Sequence, residues 1–219
     1  MFRRSLIAAL GIAALGIGAS AQDARIVVLG DSTMEWNYAG VARAMAQALG
    51  EPIQNESISG ARFSHPMSYF VGPMDIRRQL PGQFYEWVVI AGGANDLAAE
   101  CDCSACDETL DQLLDDVGLG QIPDFVEEIG LRGGKVLWVQ YYDAPEGGGP
   151  FSACTDEFAE LDARLEMLAK TVDSFHLADM SEAIDPRNAG HYDPDRVHPS
   201  AEGSARIGAY LAKRINTLR

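Results

Sequence analysis

Three short apolar runs set the terms on which this chain can fold: Ile26–Leu29 (IVVL), Trp87–Ala91 (WVVIA) and the apolar centre of Lys135–Gln140 (KVLWVQ). Each has the length of a strand rather than a helix, and none alternates with polar residues. Such runs read as strands covered on both faces, the pattern of a buried parallel sheet. Each also ends in turn chemistry: Gly30-Asp31-Ser32 after the first, Gly92-Gly93-Ala94-Asn95-Asp96 after the second, and the Pro/Gly-rich Tyr141–Pro150 after the third. Pro52–Ile58 and Ser174–Ala178 complete a set of five predicted strands.

Helical patterns lie between the strands. Tyr38–Leu49 places Val41, Ala42, Met45, Ala48 and Leu49 on one face, and Gly50 and Pro52 stop it. Leu110–Leu131 reads as helix in pieces, interrupted near Gly118–Pro123. Thr155–Val172 carries Phe158, Leu161, Leu165 and Leu168 at helical spacing, and a last helix runs from about Ser200 to Asn216. Ala61–Gln83 reads as a long surface loop with one short helix near Met74–Leu80. Strands alternating with helices predict an α/β chain, a three-layer α/β/α sandwich around a parallel sheet of about five strands. There is no internal repeat, low-complexity tract or linker, so residues 22–219 read as one domain, long enough for its own core.

The first 21 residues have the anatomy of an export signal: Arg3 and Arg4, then apolar Leu6–Ile17, then Ala19-Ser20-Ala21 as a small-residue cleavage site. The run is short and rich in Gly and Ala for a membrane span. The expected mature chain is therefore periplasmic or secreted, with no span left. Loss of the two arginines leaves 15 basic against 32 acidic residues, a net charge of −17 that excludes a phosphate backbone as a natural partner. The four cysteines, Cys101, Cys103, Cys106 and Cys154, predict two disulfides in an exported chain, with the pairing open. Their spacing does not match the paired Cys-x-x-Cys units of structural zinc.

Four small clusters carry the chemistry. Gly30-Asp31-Ser32, Gly60 and Gly93-Ala94-Asn95-Asp96 each follow a predicted strand, so a parallel sheet brings them to one edge. Asp195-Arg196-Val197-His198 precedes the last helix. A serine hydroxyl needs a base to become a nucleophile, and His198 can serve. Asp195, three residues earlier, can hold the imidazole in one tautomer. The Ser32 and Gly60 N–H groups and the Asn95 side chain can stabilise an oxyanion. Asp31 and Asp96 read as loop braces accepting backbone N–H bonds. Arg62, Trp36, Tyr141, Tyr142 and His191 are candidate substrate contacts. His65 and His176 read as structural or surface residues.

In that order the clusters resemble the four blocks of the SGNH/GDSL hydrolase superfamily: Gly30-Asp31-Ser32, Asn55 to Gly60, Gly93-Ala94-Asn95-Asp96, and Asp195-Arg196-Val197-His198 followed by Pro199. The resemblance runs from Arg25 to the C-terminus. It implies a flavodoxin-like α/β/α fold and ester hydrolysis through an acyl-serine at Ser32, with no metal or organic cofactor. It allows a small-molecule or glycan ester substrate, or a lipid or thioester acyl group. The Gly-Asp-Ser-Thr-Met opening is similar to that of the carbohydrate acetylesterase branch. Two readings of other classes compete with it. His191, Asp193, Asp195 and His198 could form a metal-dependent hydrolytic centre, or the fold could serve as a binding protein without catalysis. Other hydrolase and nucleotide motifs are absent: there is no Gly-x-Ser-x-Gly elbow, phosphate-binding Gly-x-x-x-x-Gly-Lys or His-Glu-x-x-His.

Overall fold

The computed structural model describes residues 24–64 and 72–219; the predicted export signal and His65 lie outside them. Five strands, β1 (Ile26–Gly30), β2 (Ile53–Asn55), β3 (Trp87–Ala91), β4 (Lys135–Gln140) and β5 (Phe175–Asp179), form one sheet of order β2-β1-β3-β4-β5. Every pairing is parallel, with Val28 opposite Val89 and Val89 opposite Leu137 at the centre. The order reverses direction between β1 and β3, the place where open sheets of this kind bind ligands.

Because side chains alternate along a strand, each apolar run supplies both faces of the sheet. Val27, Leu29, Val88, Ile90, Val136 and Trp138 face one layer, built from α2 (Ala94–Glu100), α3 (Asp107–Leu114), α4 (Gln121–Leu131) and α5 (Thr155–Thr171). Ile26, Val28, Trp87, Val89, Leu137 and Val139 face the other, built from α1 (Ser32–Leu49) and α6 (Ala201–Leu218). The α/β/α sandwich expected from the alternation is what forms. Fully buried leucines such as Leu165 and Leu211 each contribute about 1.5–3 kcal/mol by leaving water.

The departures from the predicted elements have local causes. β2 is three residues rather than seven; Pro52, with no N–H to give, stays outside its start. Its continuation still follows β1, with Glu56 N–H on the Val28 carbonyl (2.9 Å) and Ile58 N–H on that of Gly30 (3.0 Å). α1 starts six residues early, because the Asp31 carboxylate caps it through the Thr33 amide (2.9 Å). Its helical geometry then breaks at Trp36–Ala39 and resumes to Gly50. α2 is seven residues long and too short to show a period. The predicted interruption between α3 and α4 is real, and Pro123 sits in the first turn of α4, where no N–H is missed. The 61–83 region is no simple surface loop, as Ala61, Phe63 and Ile76 are buried in the core. It contains 3-10 turns at Gly72–Met74 and Ile76–Gln79.

Cys101 pairs with Cys106 and Cys103 with Cys154, at Cα separations of 5.3 and 4.7 Å. The second bond clips the segment after α2 to the start of α5. No helix among the described residues is long and apolar enough to cross a membrane.

Candidate active site

The site is built on the carboxyl ends of β1 and β3. Gly30 closes β1 with φ 137°, and a Cβ there would lie 2.4 Å from the Ala91 carbonyl oxygen, so only glycine brings the two strand ends this close. The buried Gln79 side chain completes the turn. Its Oε1 accepts from Gly30 N–H (2.7 Å) and its Nε2 donates to Gly30 C=O (2.9 Å) and to Pro73 C=O (3.0 Å). Ser32 follows as the first residue of α1, where first-turn amides have no intrahelical acceptor.

Asp31 is buried under the serine. It takes the Thr33 amide on Oδ1 and the Tyr141 hydroxyl on Oδ2. Burial pushes its carboxyl up to about 6, against the lowering effect of those hydrogen bonds. Burial and the neighbouring Asp31 hold the Tyr141 phenol well above its usual range, so it stays the donor. Asp96, also buried, accepts from the Ser64 amide, and burial raises its carboxyl despite that bond. Both aspartates thus brace loops, as expected.

Asn95, at the start of α2, donates from Nδ2 to the Ala61 carbonyl (3.0 Å), which joins the third sequence cluster to the second. One Nδ2 hydrogen is left for a ligand. Gly60 lies next to Ala61 at φ 80°, a left-handed conformation that favours glycine.

Asp195 and His198 share a tight loop closed by Asp193 N–H on the His198 carbonyl (2.8 Å). The Asp195 carboxylate takes the His198 ring at Nδ1 (2.6 Å) and the amides of Val197 (2.9 Å) and His198 (3.0 Å). Partial burial pushes its carboxyl up, but these bonds outweigh burial and leave it below the usual value. An ionised carboxylate only accepts, so Nδ1 carries the proton, and in the neutral imidazole Nε2 presents its lone pair. Trp36 lies flat on the same imidazole, with ring centroids 3.7 Å apart and planes 8° from parallel.

A cavity of about 320 Å³ opens beside Ser32 and Asn95. Tyr141, Phe158 and Phe151 form an aromatic wall, with successive ring centroids 5.4 and 6.2 Å apart. Val197 reaches it from the His198 loop, held by the Tyr142 hydroxyl on its carbonyl (2.7 Å). Ser32 meets the His198 loop across this space, and the two side chains make no direct hydrogen bond among the described residues. Asp162 and Asp179 also line the cavity; burial raises the Asp162 carboxyl to about 6, against a hydrogen bond from Gln140.

Of the other expected contacts, Tyr141 and Tyr142 line the cavity. Arg62 does not; its guanidinium pairs with Glu100 (3.0 Å). His191 does not either. It is 3% exposed, with Nδ1 accepting from Asp185 N–H (2.9 Å) and Nε2 at Asn188 (3.0 Å), so its own loop uses both nitrogens. Of the four residues weighed as metal ligands, Asp195 and His198 bond each other, while Asp193 is on the Trp36 indole and His191 is held in its own loop. No group of three or more metal-type side chains converges among the described residues. Gln79, Asp162 and two members of the aromatic wall, Phe151 and Phe158, were not among the residues expected at the cleft. Asp162 left a trace in the sequence, as an acid four residues from Phe158 on the apolar side of α5.

The sheet, of order β2-β1-β3-β4-β5, thus carries Ser32 at the start of the helix capped by Asp31 and an Asp-His pair before the last helix, an arrangement similar to that of SGNH-type hydrolases. The sequence profile of the GDSL-like lipase/acylhydrolase family matches residues 28–206, and the chain belongs to that family of ester hydrolases. Curated proteins give no match. Solved structures do. An inhibitor-bound aryl esterase of M. smegmatis is 18% identical, with TM-score 0.61 over 90% of this chain and 100% of that one. A carbohydrate acetylesterase family member from Sinorhizobium meliloti is 19% identical, with TM-score 0.60 over 88% and 97%. A GDSL-like lipase from Bacteroides thetaiotaomicron is 21% identical, with TM-score 0.60 over 92% of each chain. These similarities confirm the fold.

Proposed function

We propose that the protein is an exported serine esterase that removes a small acyl group from a hydroxyl-rich alcohol. The observation that carries this reading is the Asp195–His198 pair at 2.6 Å, next to the cavity that Ser32 lines. Ser32 Oγ attacks the ester carbonyl while His198 Nε2 takes its proton. The Ser32 and Gly60 amides and Asn95 Nδ2 hold the oxyanion. His198 returns the proton to the departing alcohol, leaving an acyl-serine. Water, deprotonated by the same nitrogen, then releases the acid. Asp195 keeps the imidazole in the productive tautomer throughout. Apo sites of this kind commonly tighten the serine–histidine bond only with substrate bound.

The cavity supports a polar alcohol over a long acyl chain. Hydrocarbon packed against Asp162 and Asp179 would strip them of hydrogen bonds, whereas hydroxyls replace the lost water. The Gly30–Met34 opening and the Sinorhizobium neighbour's description favour a carbohydrate acetyl ester. Export rests on the signal-like first 21 residues together with two disulfides.

Fluorophosphonate labelling of the purified mature protein tests the serine, with and without EDTA and beside Ser32→Ala. Label on Ser32 that survives chelation is the expected result. Hydrolysis lost on chelation, with no label, would return the chemistry to a metal. Acetylated sugars compared with p-nitrophenyl esters of rising chain length test the substrate; rates that climb with chain length would overturn the small-acyl reading.

A further inference from the structure

One contact at the site has no part in the proposed chemistry as stated: the indole of Trp36 against the His198 ring. A histidine held only through Nδ1 can still swing about the axis of that hydrogen bond, which carries Nε2 away from its target. The Asp195 contact lies in the plane of the imidazole; the Trp36 contact lies on its face, at 3.7 Å and 8°. Together they fix both the direction and the tilt of the ring.

The indole is itself held. Its Nε1–H donates to Asp193 Oδ2 (2.9 Å), a residue of the same tight loop as Asp195 and His198. Directly after Trp36 the backbone enters the left-handed region for three residues, Asn37 (φ 55°), Tyr38 (φ 58°) and Ala39 (φ 56°). Two of these gain nothing from that conformation by their chemistry, and non-glycine residues persist there only where their surroundings over-determine them. The surroundings do so. Asn37 Nδ2 donates to the Pro199 carbonyl (2.9 Å) and to Ser204 Oγ (2.9 Å). The Arg43 guanidinium donates to the carbonyls of Asn37 and Tyr38. The break in α1 is therefore latched onto the residue after His198 and onto α6. It turns Trp36, four residues from Ser32, onto the imidazole.

We propose that Trp36 is a positioning residue for His198, and that Asp193 acts through it. The proposal rests on the reading of Ser32 and His198 as nucleophile and base. Its value is greatest when His198 has taken the serine proton, because a cation over an indole face is attracted to it.

The test compares p-nitrophenyl acetate kinetics and the rate of fluorophosphonate labelling in wild type, Trp36→Ala, Trp36→Phe, Asp193→Ala and Asp193→Asn. Trp36→Ala should lower kcat about tenfold, ~1.4 kcal/mol of barrier, with KM within about twofold, since Trp36 does not line the cavity. Trp36→Phe keeps a ring face and should recover most of the loss. Asp193→Asn keeps an oxygen for the indole N–H and should recover what Asp193→Ala loses. Unchanged kcat and labelling in Trp36→Ala would overturn the proposal while leaving the serine reading intact. So would a Trp36→Phe variant as slow as Trp36→Ala. Absence of label on Ser32 in the wild type would overturn the serine reading first, and this one with it.

Discussion

Gln79 holds Gly30 by both ends of its amide, pairing with the backbone N–H and C=O as another strand would. Glycine 30 ends β1 one residue before Asp31, so the segment that delivers Ser32 is paired by a side chain from 49 positions away. Gln79→Ala leaves the buried Gly30 N–H without a partner, at a cost of about 1–3 kcal/mol, while the Gly30 carbonyl keeps the Ile58 N–H (3.0 Å). The expected loss is about 1–3 kcal/mol in urea unfolding, with a fall in Ser32 labelling. A loss under about 0.5 kcal/mol would mean that water fills the space and pairs the freed N–H.

Asp31 makes stability depend on pH in an unusual direction. Its carboxyl stands at about 6 in the fold against 3.8 when free, so between those values the folded protein holds the extra proton. Stability contributed by this group is therefore highest at acid pH and falls as pH rises through the window from about 4 to 6. The rise from 3.8 to about 6 corresponds to about 3 kcal/mol. Asp31→Asn should flatten the curve over that range, read as the difference between the two proteins in unfolding at pH 4, 5, 6 and 7. Asp162, also raised to about 6, adds a slope of the same sign and remains in both.

Asn95→Ala removes the one proposed oxyanion donor that belongs to a side chain. The expected effect is a fall of about 10²–10³ in kcat with KM little changed. Circular dichroism and a thermal melt check that the lost bond to the Ala61 carbonyl (3.0 Å) has not loosened the loop. A kcat within threefold of wild type would place the oxyanion elsewhere.

The two disulfides should differ in worth. Cys103–Cys154 spans 51 positions, and chain entropy assigns closure of such a loop about 4 kcal/mol; Cys101–Cys106 spans five, for about 2 kcal/mol. Paired serine variants measured by denaturant unfolding should rank in that order. Peptide mapping of the unreduced protein should find these two linkages, and four free thiols would contradict both.

The strands were legible because burial on both faces leaves an unbroken apolar run, as in Trp87–Ala91, and turn chemistry marks where each ends. Helix α5 was legible from the spacing of Phe158, Leu161, Leu165 and Leu168. The residues of the proposed chemistry stood out because each follows a strand or precedes a helix in a fixed order. What stayed hidden is held by contacts distant in sequence. Nothing near Gln79 announces Gly30, and the left-handed turn at Asn37–Ala39 depends on Pro199 and Ser204, more than 160 positions on. His191 misled because its neighbours, Asp193 and Asp195, made a sequence cluster that the loop then splays apart.

The central sheet divides the labour of the site. Ser32, Trp36 and the latch onto Pro199 and Ser204 belong to the layer of α1 and α6, while Phe158 and Asp162 stand on α5 in the opposite layer. On the proposed reading, Phe158 and Asp162 govern which alcohol fits, while Trp36 and the latch govern how the imidazole is aligned. The layers meet where Phe158 stacks on Tyr141 (5.4 Å), whose hydroxyl donates to Asp31. A designer seeking new specificity would randomise Phe151, Phe158 and Asp162 and leave α1 untouched.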